Sequence, residues 1–387
     1  MNSRFRVISW TSRAGFLALA GALMAGLWVT PRYLSSATDA LPFEPSRLPW
    51  ESADPDALPP DIALPEPADE AAPDPVLPSR LSRDLFPFHF EARSAETLFD
   101  ELRSEAEPAR DDMEPWSQIL LGRLLAIDDM VAKHSTYYGT DYLEQLLAFA
   151  AESLFDPLAQ GPQVDDRGIG QVGYWAEEAG RRWAGDRQSR YYSPDLDPDG
   201  SIWDPETNII LATAVMRWIY TSPDVTSPQT AYAVYTRGHE GGLRPGGALG
   251  PEAQVRVDRA ASYRERVLDF FRLKLGMGEA QHPLTVGILE LDRTNEDGEE
   301  MYRALRDYYT EIVEDPADPA VAVLLAQEAL GYSDLLGRIY SEDVEAEYLR
   351  LHTALLALGP AVDALGHAQT QAVYGATLAE LEERLGS

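Results

Sequence analysis

The sequence predicts a mainly α-helical protein with an N-terminal membrane segment and additional C-terminal helices. Three observations carry this. From about residue 95 onward, apolar residues recur at helical spacing almost throughout. An uncharged run from Ala14 to Pro31 follows Arg4, Arg6 and Arg13. Residues 41–78 hold eleven prolines and nine acids against one base, Arg47.

The apolar run sits at the short end of what crosses a bilayer as a helix. Arginines on its upstream side favour an inside N-terminus and an exported remainder. A retained signal-anchor and a cleaved signal peptide both fit the run, and a buried soluble helix is the third reading. The following residues, Tyr33 to Ala40, offer no clear small-x-small cleavage site, which favours the anchor. The Pro/acidic stretch cannot bury enough apolar surface to fold, and self-repulsion keeps it extended. The expected organisation is a cytoplasmic N-terminus at 1–13, a transmembrane segment at 14–31 and a disordered linker at 32–80. A helical domain at 81–250 and a helical accessory region at 251–387 follow. Such a chain is a single-pass inner-membrane protein whose folded part lies in the periplasm, or otherwise outside the cytoplasm.

Composition narrows the function. The net charge is −32, with 64 acids against 32 bases. A nucleic-acid binder tracking phosphates needs a basic face, so that class is disfavoured. The chain has no cysteine, which excludes disulfides, thiolate zinc sites, iron–sulfur clusters and cysteine nucleophiles. Lys133 and Lys274 are its only lysines, a bias read as coding or salt adaptation and not as a site.

Thr136-Tyr137-Tyr138-Gly139-Thr140 closes one helical stretch, and Asp141 opens the next. Asp141 is an N-cap, with Glu144 three residues on in capping-box spacing. Leu143, Leu146, Leu147, Ala150 and Leu154 then form one apolar face. Glu152 lies one residue off that face, near the helix end before Asp156-Pro157. A carboxyl partly buried against apolar walls can hold a proton at neutral pH and serve as a general acid. A solvated surface glutamate is the alternative reading of the same spacing.

The stretch from Gly139 through Glu152-Ser153 to Ala159 resembles the catalytic-glutamate segment of the soluble lytic transglycosylase family. Three further segments follow in that family's order. Gly168-Ile169-Gly170-Gln171-Val172 resembles its Gly-Leu-Met-Gln-Ile element. Asp204-Pro205-Glu206-Thr207-Asn208-Ile209 resembles its Asp-Pro-x-x-Asn-Ile helix start. Ala231 to Gly238 resembles its Ala-x-x-x-Tyr-Asn-x-Gly segment. The resemblance spans residues 130–245 and implies a lysozyme-like fold. It also implies cleavage of peptidoglycan glycan strands between N-acetylmuramic acid and N-acetylglucosamine. Glu152 is then the acid that protonates the glycosidic oxygen, and next the base on the muramyl 6-hydroxyl, leaving a 1,6-anhydro end. Tyr235 is implied beside Glu152, and Gln171, Ser153, Gly170 and Asn208 are implied in substrate binding. One carboxyl suffices where the nucleophile belongs to the sugar itself, unlike the usual two-carboxylate scheme.

The chain departs from the family around this element. Pro162 and Asp165-Asp166 stand where the family has Ser and Gly-Ala. Tyr174-Trp175-Ala176-Glu177 replaces its Pro-x-Thr-Ala, and Thr236 replaces its Asn. Asp165 or Asp166 holding a water would make the enzyme a hydrolytic muramidase. A catalytically weak peptidoglycan-binding or assembly scaffold is the reading from another class.

Gly168-Ile169-Gly170-Gln171-Val172-Gly173 also satisfies G-x-G-x-x-G. No hydrophobic strand precedes it, and two aspartates would repel a pyrophosphate, so no dinucleotide or other organic cofactor is expected. Residues 195–206 fit a twelve-residue calcium loop. Asp195, Asp197 and Asp199 supply acids at positions one, three and five, Gly200 the turn, Ser201 its carbonyl, and Glu206 the last ligand. An acidic turn in an acid-rich protein is the competing reading. Structural Ca²⁺ would brace the segment leading into the next helix. Arg181, Arg182, Trp183, Arg187, Arg190, Tyr191 and Tyr192 form a basic-aromatic patch suited to cleft lining or to surface packing.

The C-terminal third reads as amphipathic helices at 252–275, 298–314, 320–340, 342–358 and 361–385, with Pro283 to Leu291 as a short strand or extended link. Leu324, Leu325, Ala329, Leu330, Leu335 and Leu336 read as core. This part names no partner.

Overall fold

The computed structural model describes residues 92–105, 109, 114–161, 166–189, 191–244, 247–295 and 298–386. The expected membrane segment and linker lie outside the described residues. Among the described residues no helix is long and apolar enough to cross a membrane. The architecture is helical, and β-structure among these residues is confined to two isolated bridges, Arg167 with Val172 and Leu243 with Leu249.

The chain divides into two compact units. One takes the described residues up to Leu158 together with Arg167–Ala304; the other takes Ala159–Asp166 and Leu305–Ser387. The first unit holds α1 (Ala95–Glu105), α2 (Pro115–Leu125), α3 (Asp128–Tyr138), α4 (Tyr142–Ser153) and α5 (Tyr174–Gly185). It continues with α6 (Pro205–Tyr220), α7 (Pro228–Gly242), α8 (Pro251–Ser262), α9 (Arg264–Lys274) and α10 (Pro283–Thr294). The next helix, α11 (Glu299–Glu314), carries the chain from the first unit into the second. There α12 (Pro319–Ile339), α13 (Glu345–Leu365) and α14 (Ala368–Gly386) follow.

The chain passes from the first unit to the second after Ala304. Helix α8 packs on α4 and α7, α9 on α1, and α10 on α2. The stretch expected as one helix at 252–275 breaks at Tyr263, the C-cap of α8 and the N-cap of α9.

At the centre of the first unit lies α6, from Asn208 to Val215 almost wholly removed from solvent. A helix apolar on nearly all sides belongs inside a core. It packs against α3, α5 and α7. Its start is well marked: the Asp204 carboxylate accepts from Thr207 N at 2.7 Å, and Pro205 takes the first helical position, where a missing N–H costs nothing. Val215, Met216, Ile219 and Tyr220 meet Val225, Ala231, Val234 and Leu243 in one apolar cluster.

Pro283 to Leu291 is helical, not extended. The His282 ring accepts from Leu284 N at 3.2 Å, Pro283 sits at the helix start, and Leu284, Ile288 and Leu289 are buried. Its β-branched residues suggest a strand, but burial along one helical face decides otherwise. The break expected between 358 and 361 is also absent. Helix α13 runs through Pro360 and ends at Gly366, whose φ of 65° suits glycine. The Leu356 carbonyl, four residues before the proline, belongs to a half-exposed residue, so water can take it.

A buried polar group ties α3 to α9 and α10. Lys274 Nζ donates to Asp128 at 2.9 Å and to Asp292 at 3.2 Å. Burial pushes the Asp128 carboxyl up to about 7, against the opposing pull of Lys274. In the second unit Leu325, Ala329, Leu330, Leu335 and Leu336 are buried as expected, while Leu324 is only partly so. There Asp334 of α12 accepts from Arg384 of α14 and from Tyr348 of α13.

Candidate functional site

Helix α4 sets the site. Asp141 caps it, accepting from Glu144 N at 2.9 Å. Only half of the expected capping box forms. The Glu144 carboxylate pairs with Arg264, and the Asp141 N–H is taken by the Tyr220 hydroxyl at 3.3 Å. At the other end, Leu154 and Phe155 adopt φ of 56° and 60°. Two consecutive non-glycine residues in the left-handed region store strain of roughly 1–2 kcal/mol each. They turn the chain sharply just after Glu152-Ser153. Arg123 holds that turn, donating to the Leu154 carbonyl at 3.2 Å.

The Glu152 side chain is 10% exposed. Its Oε1 accepts from the Tyr232 hydroxyl at 2.6 Å. A single nitrogen of Arg256, Nη1, lies 3.1 Å from both carboxylate oxygens. Burial raises the Tyr232 hydroxyl far above the ordinary tyrosine range, and the neighbouring Glu152 charge adds to it. Tyr232 therefore stays a proton donor in this contact.

The structure brings the four motif segments together. The 168–172 turn rests on Asn208, the fourth residue of α6. Asn208 Oδ1 accepts from Gly170 N at 2.8 Å, and its Nδ2 donates to the Arg167 carbonyl at 2.9 Å and the Ile202 carbonyl at 3.0 Å. Gly168 has φ of 71°, and a side chain there would collide with the Asn208 amide. At Gly170 a Cβ would come within 2.7 Å of the Ala212 methyl. These contacts explain why glycines flank this turn. Gln171, at φ of 49°, donates to the Gly168 carbonyl at 2.8 Å and is half-buried.

Tyr235 does not occupy the place expected for it. Its hydroxyl donates to the Gly170 carbonyl at 2.7 Å, tying α7 to the turn, while Tyr232 reaches Glu152. The two tyrosines lie about one turn apart on α7, so both face the same side of the helix at different heights. Ser153 donates back to the Phe149 carbonyl at 3.1 Å, and Asn208 is fully buried, so both build the framework.

Tyr232 and Arg256 line an open pocket of about 310 Å³, together with Ala151, Arg237, Glu252, Val255 and Arg259. Glu252 and Arg237 pair at 3.2 Å. Sequence reasoning missed Tyr232, Arg237, Arg256 and Arg259. Three of the lining residues, Glu252, Arg256 and Arg259, recur at one-turn spacing on α8, which is the signal that points them to one face.

In the 195–206 segment, expected as a calcium loop, several of the acids are engaged by protein groups. Among the described residues no three carboxylate or imidazole groups converge as a metal site. Lys133 Nζ sits 3.2 Å from Asp195 and 2.9 Å from Glu206. The hydrogen bond from His134 holds Glu206 down at about 2, helped by Lys133 and opposed by burial. Asp197 accepts from Asp199 N at 3.0 Å and Ser201 from Trp203 N at 3.2 Å, so both side chains serve their own turn. The Asp199 carboxylate is exposed.

The basic-aromatic patch is largely packing. Arg181 donates to the Pro198 and Gly200 carbonyls at 3.1 and 2.7 Å. Trp183 lies against Trp218 and Tyr191, with ring centres 5.5 and 5.6 Å apart. Trp175 joins this cluster and is 39% exposed. Arg190 lies outside the described residues, as does Asp165. Asp166 belongs to the second compact unit.

Comparison with protein-family models, curated proteins and solved structures finds no match to this chain.

Proposed function

We propose that the protein is a lytic transglycosylase acting on peptidoglycan, held at the inner membrane by its N-terminal segment with the enzyme domain in the periplasm. One observation carries the reading: Glu152 is a nearly buried carboxyl, hydrogen-bonded to a tyrosine, beside an open pocket. The framework that holds it is assembled from the four segments whose order suggested the family.

The chemistry uses one carboxyl twice. Glu152 passes its proton to the oxygen of the bond between N-acetylmuramic acid and N-acetylglucosamine, and the bond from C1 to that oxygen breaks. The resulting carboxylate takes the proton of the muramyl 6-hydroxyl as its oxygen bonds to C1. No water is consumed, and Glu152 ends protonated as it began. Tyr232 holds Oε1 throughout, fixing the direction in which the carboxyl points.

A second reading, a wall-binding scaffold, draws support from Arg256. A carboxylate held by a guanidinium is a poor proton donor. The deciding experiment incubates full-length protein with cell-wall sacculi and weighs the released muropeptides. Anhydro ends lost in Glu152→Gln support the transglycosylase. Reducing ends indicate a hydrolase, and release of nothing indicates the scaffold.

A further inference from the structure

The pocket beside Glu152 gathers positive charge in a chain of net charge −32. Arg256 and Arg259 come from α8 and Arg237 from α7. Two carboxylates answer these three guanidinium groups. Glu252 takes Arg237, and Glu152 takes Arg256. Among the described residues, no hydrogen bond or ion pair engages the Arg259 side chain, which is exposed. The local balance is one positive charge in excess, facing solvent.

The grip of Arg256 on Glu152 is also incomplete. One nitrogen serves both oxygens, so the two-nitrogen fork that guanidinium groups form with carboxylates is not used. The Arg256 side chain is 34% exposed, within reach of a ligand. The pocket volume suits one sugar-sized ligand, and exposed Val255 gives it an apolar wall.

We propose that this pocket receives a carboxylate carried on a sugar, held by Arg259 and Arg256, and that its arrival draws Arg256 off Glu152. The inference rests on the transglycosylase reading and adds a specificity device to it. Arg256 is a positioning residue: while it holds Glu152, the carboxyl is engaged as an anion. A glycan bearing carboxylates releases it, and Glu152, keeping its Tyr232 hydrogen bond, takes up from water the proton it then passes to the glycosidic oxygen. A neutral glycan leaves Arg256 in place and is not cleaved.

The test is binding, not turnover. Full-length protein is titrated with N-acetylmuramic acid and with N-acetylglucosamine, which differ by the carboxylate-bearing lactyl group. The acidic sugar is expected to bind about tenfold more tightly at low salt, or ~1.4 kcal/mol, and added salt should narrow the gap. Arg259→Gln, at an exposed position that does not endanger the fold, and Arg256→Gln should each bring the ratio close to one. Glu152→Gln removes the competing carboxylate and should tighten binding of the acidic sugar several-fold while leaving the neutral sugar unchanged. Equal binding of the two sugars, binding of neither, a ratio untouched by both arginine variants, or no gain in Glu152→Gln would each overturn the proposal. The outcomes separate from those of the transglycosylase reading. Sacculi cleaved with anhydro ends but no carboxylate preference would sink the exchange alone. A preference without cleavage would sink the enzyme reading and leave a carboxylate site.

Discussion

Glu152 draws its surroundings from three helices. Its own helix ends in the strained Leu154-Phe155 turn, α7 supplies Tyr232 and α8 supplies Arg256. The two tyrosines of α7 are predicted to separate by experiment. Tyr232→Phe removes the 2.6 Å hydrogen bond to Glu152 and, on the proposed transglycosylase function, should slow wall cleavage about tenfold, equivalent to ~1.4 kcal/mol of barrier. Tyr235→Phe removes the bond to the Gly170 carbonyl and should instead lower stability by about 1 kcal/mol with a smaller change in rate. Rates on sacculi and denaturant melts of both variants check this; the reverse pattern would restore Tyr235 to the site. Glu152 was legible as a candidate because it sits just off an apolar helical face, near a helix end. Tyr232 was not, since helical spacing alone cannot say which of two neighbouring turns meets a residue 80 positions away.

At the scale of elements, the 168–172 turn and the start of α6 act as one piece. Asn208 makes three hydrogen bonds, two of them buried, that no smaller side chain can replace. Asn208→Ala leaves Gly170 N and the two carbonyls without those partners and should cost about 2–4 kcal/mol, read as a lower urea midpoint. Asn208→Asp keeps the acceptor but turns a carboxylate oxygen toward two carbonyl oxygens in a buried site, so it should cost at least as much. A change below about 0.5 kcal/mol in Asn208→Ala would mean the turn is held from elsewhere. The sequence marked this helix start through Asp204 and Pro205, and those signals are local. It marked α10 poorly, because β-branched residues fit a strand as well as a helix until packing selects a face. The 252–275 stretch illustrates the same limit: its periodicity is continuous across Tyr263, where the chain turns from α8 into α9.

Across the whole molecule, charge sits unevenly. Acids outnumber bases 64 to 32, and half-buried Lys274 lies between Asp128 and Asp292. This group makes stability depend on pH in a direction that can be worked out. Asp128 titrates at about 7 in the folded state against an ordinary value of 3.8. The folded protein thus holds a proton that the unfolded chain releases. That contribution is fully present below the unfolded value and is lost as pH rises through about 7. Thermal melts of the wild type should therefore lose midpoint between about pH 4 and pH 7, and Asp128→Asn should show a flatter profile over the same span. Identical slopes in both proteins would remove Asp128 as the cause. The unit that contains this cluster extends to Ala304. Nothing in the composition changes at residue 304, so only the contacts of α8, α9 and α10 could set it.

By itself the sequence determined the helical class, the capping of α4 and α6, the glycine turn and the candidacy of Glu152. Each of these depends on residues within a turn or two of one another, or on a period that local chemistry imposes. Only the tertiary structure decided which side chains meet Glu152. It placed Arg256, read from sequence as part of an accessory region, against the carboxyl, and set Lys133 beside Asp195 and Glu206. Those choices rest on contacts between residues tens of positions apart, where burial and charge pairing in three dimensions outweigh any spacing along the chain.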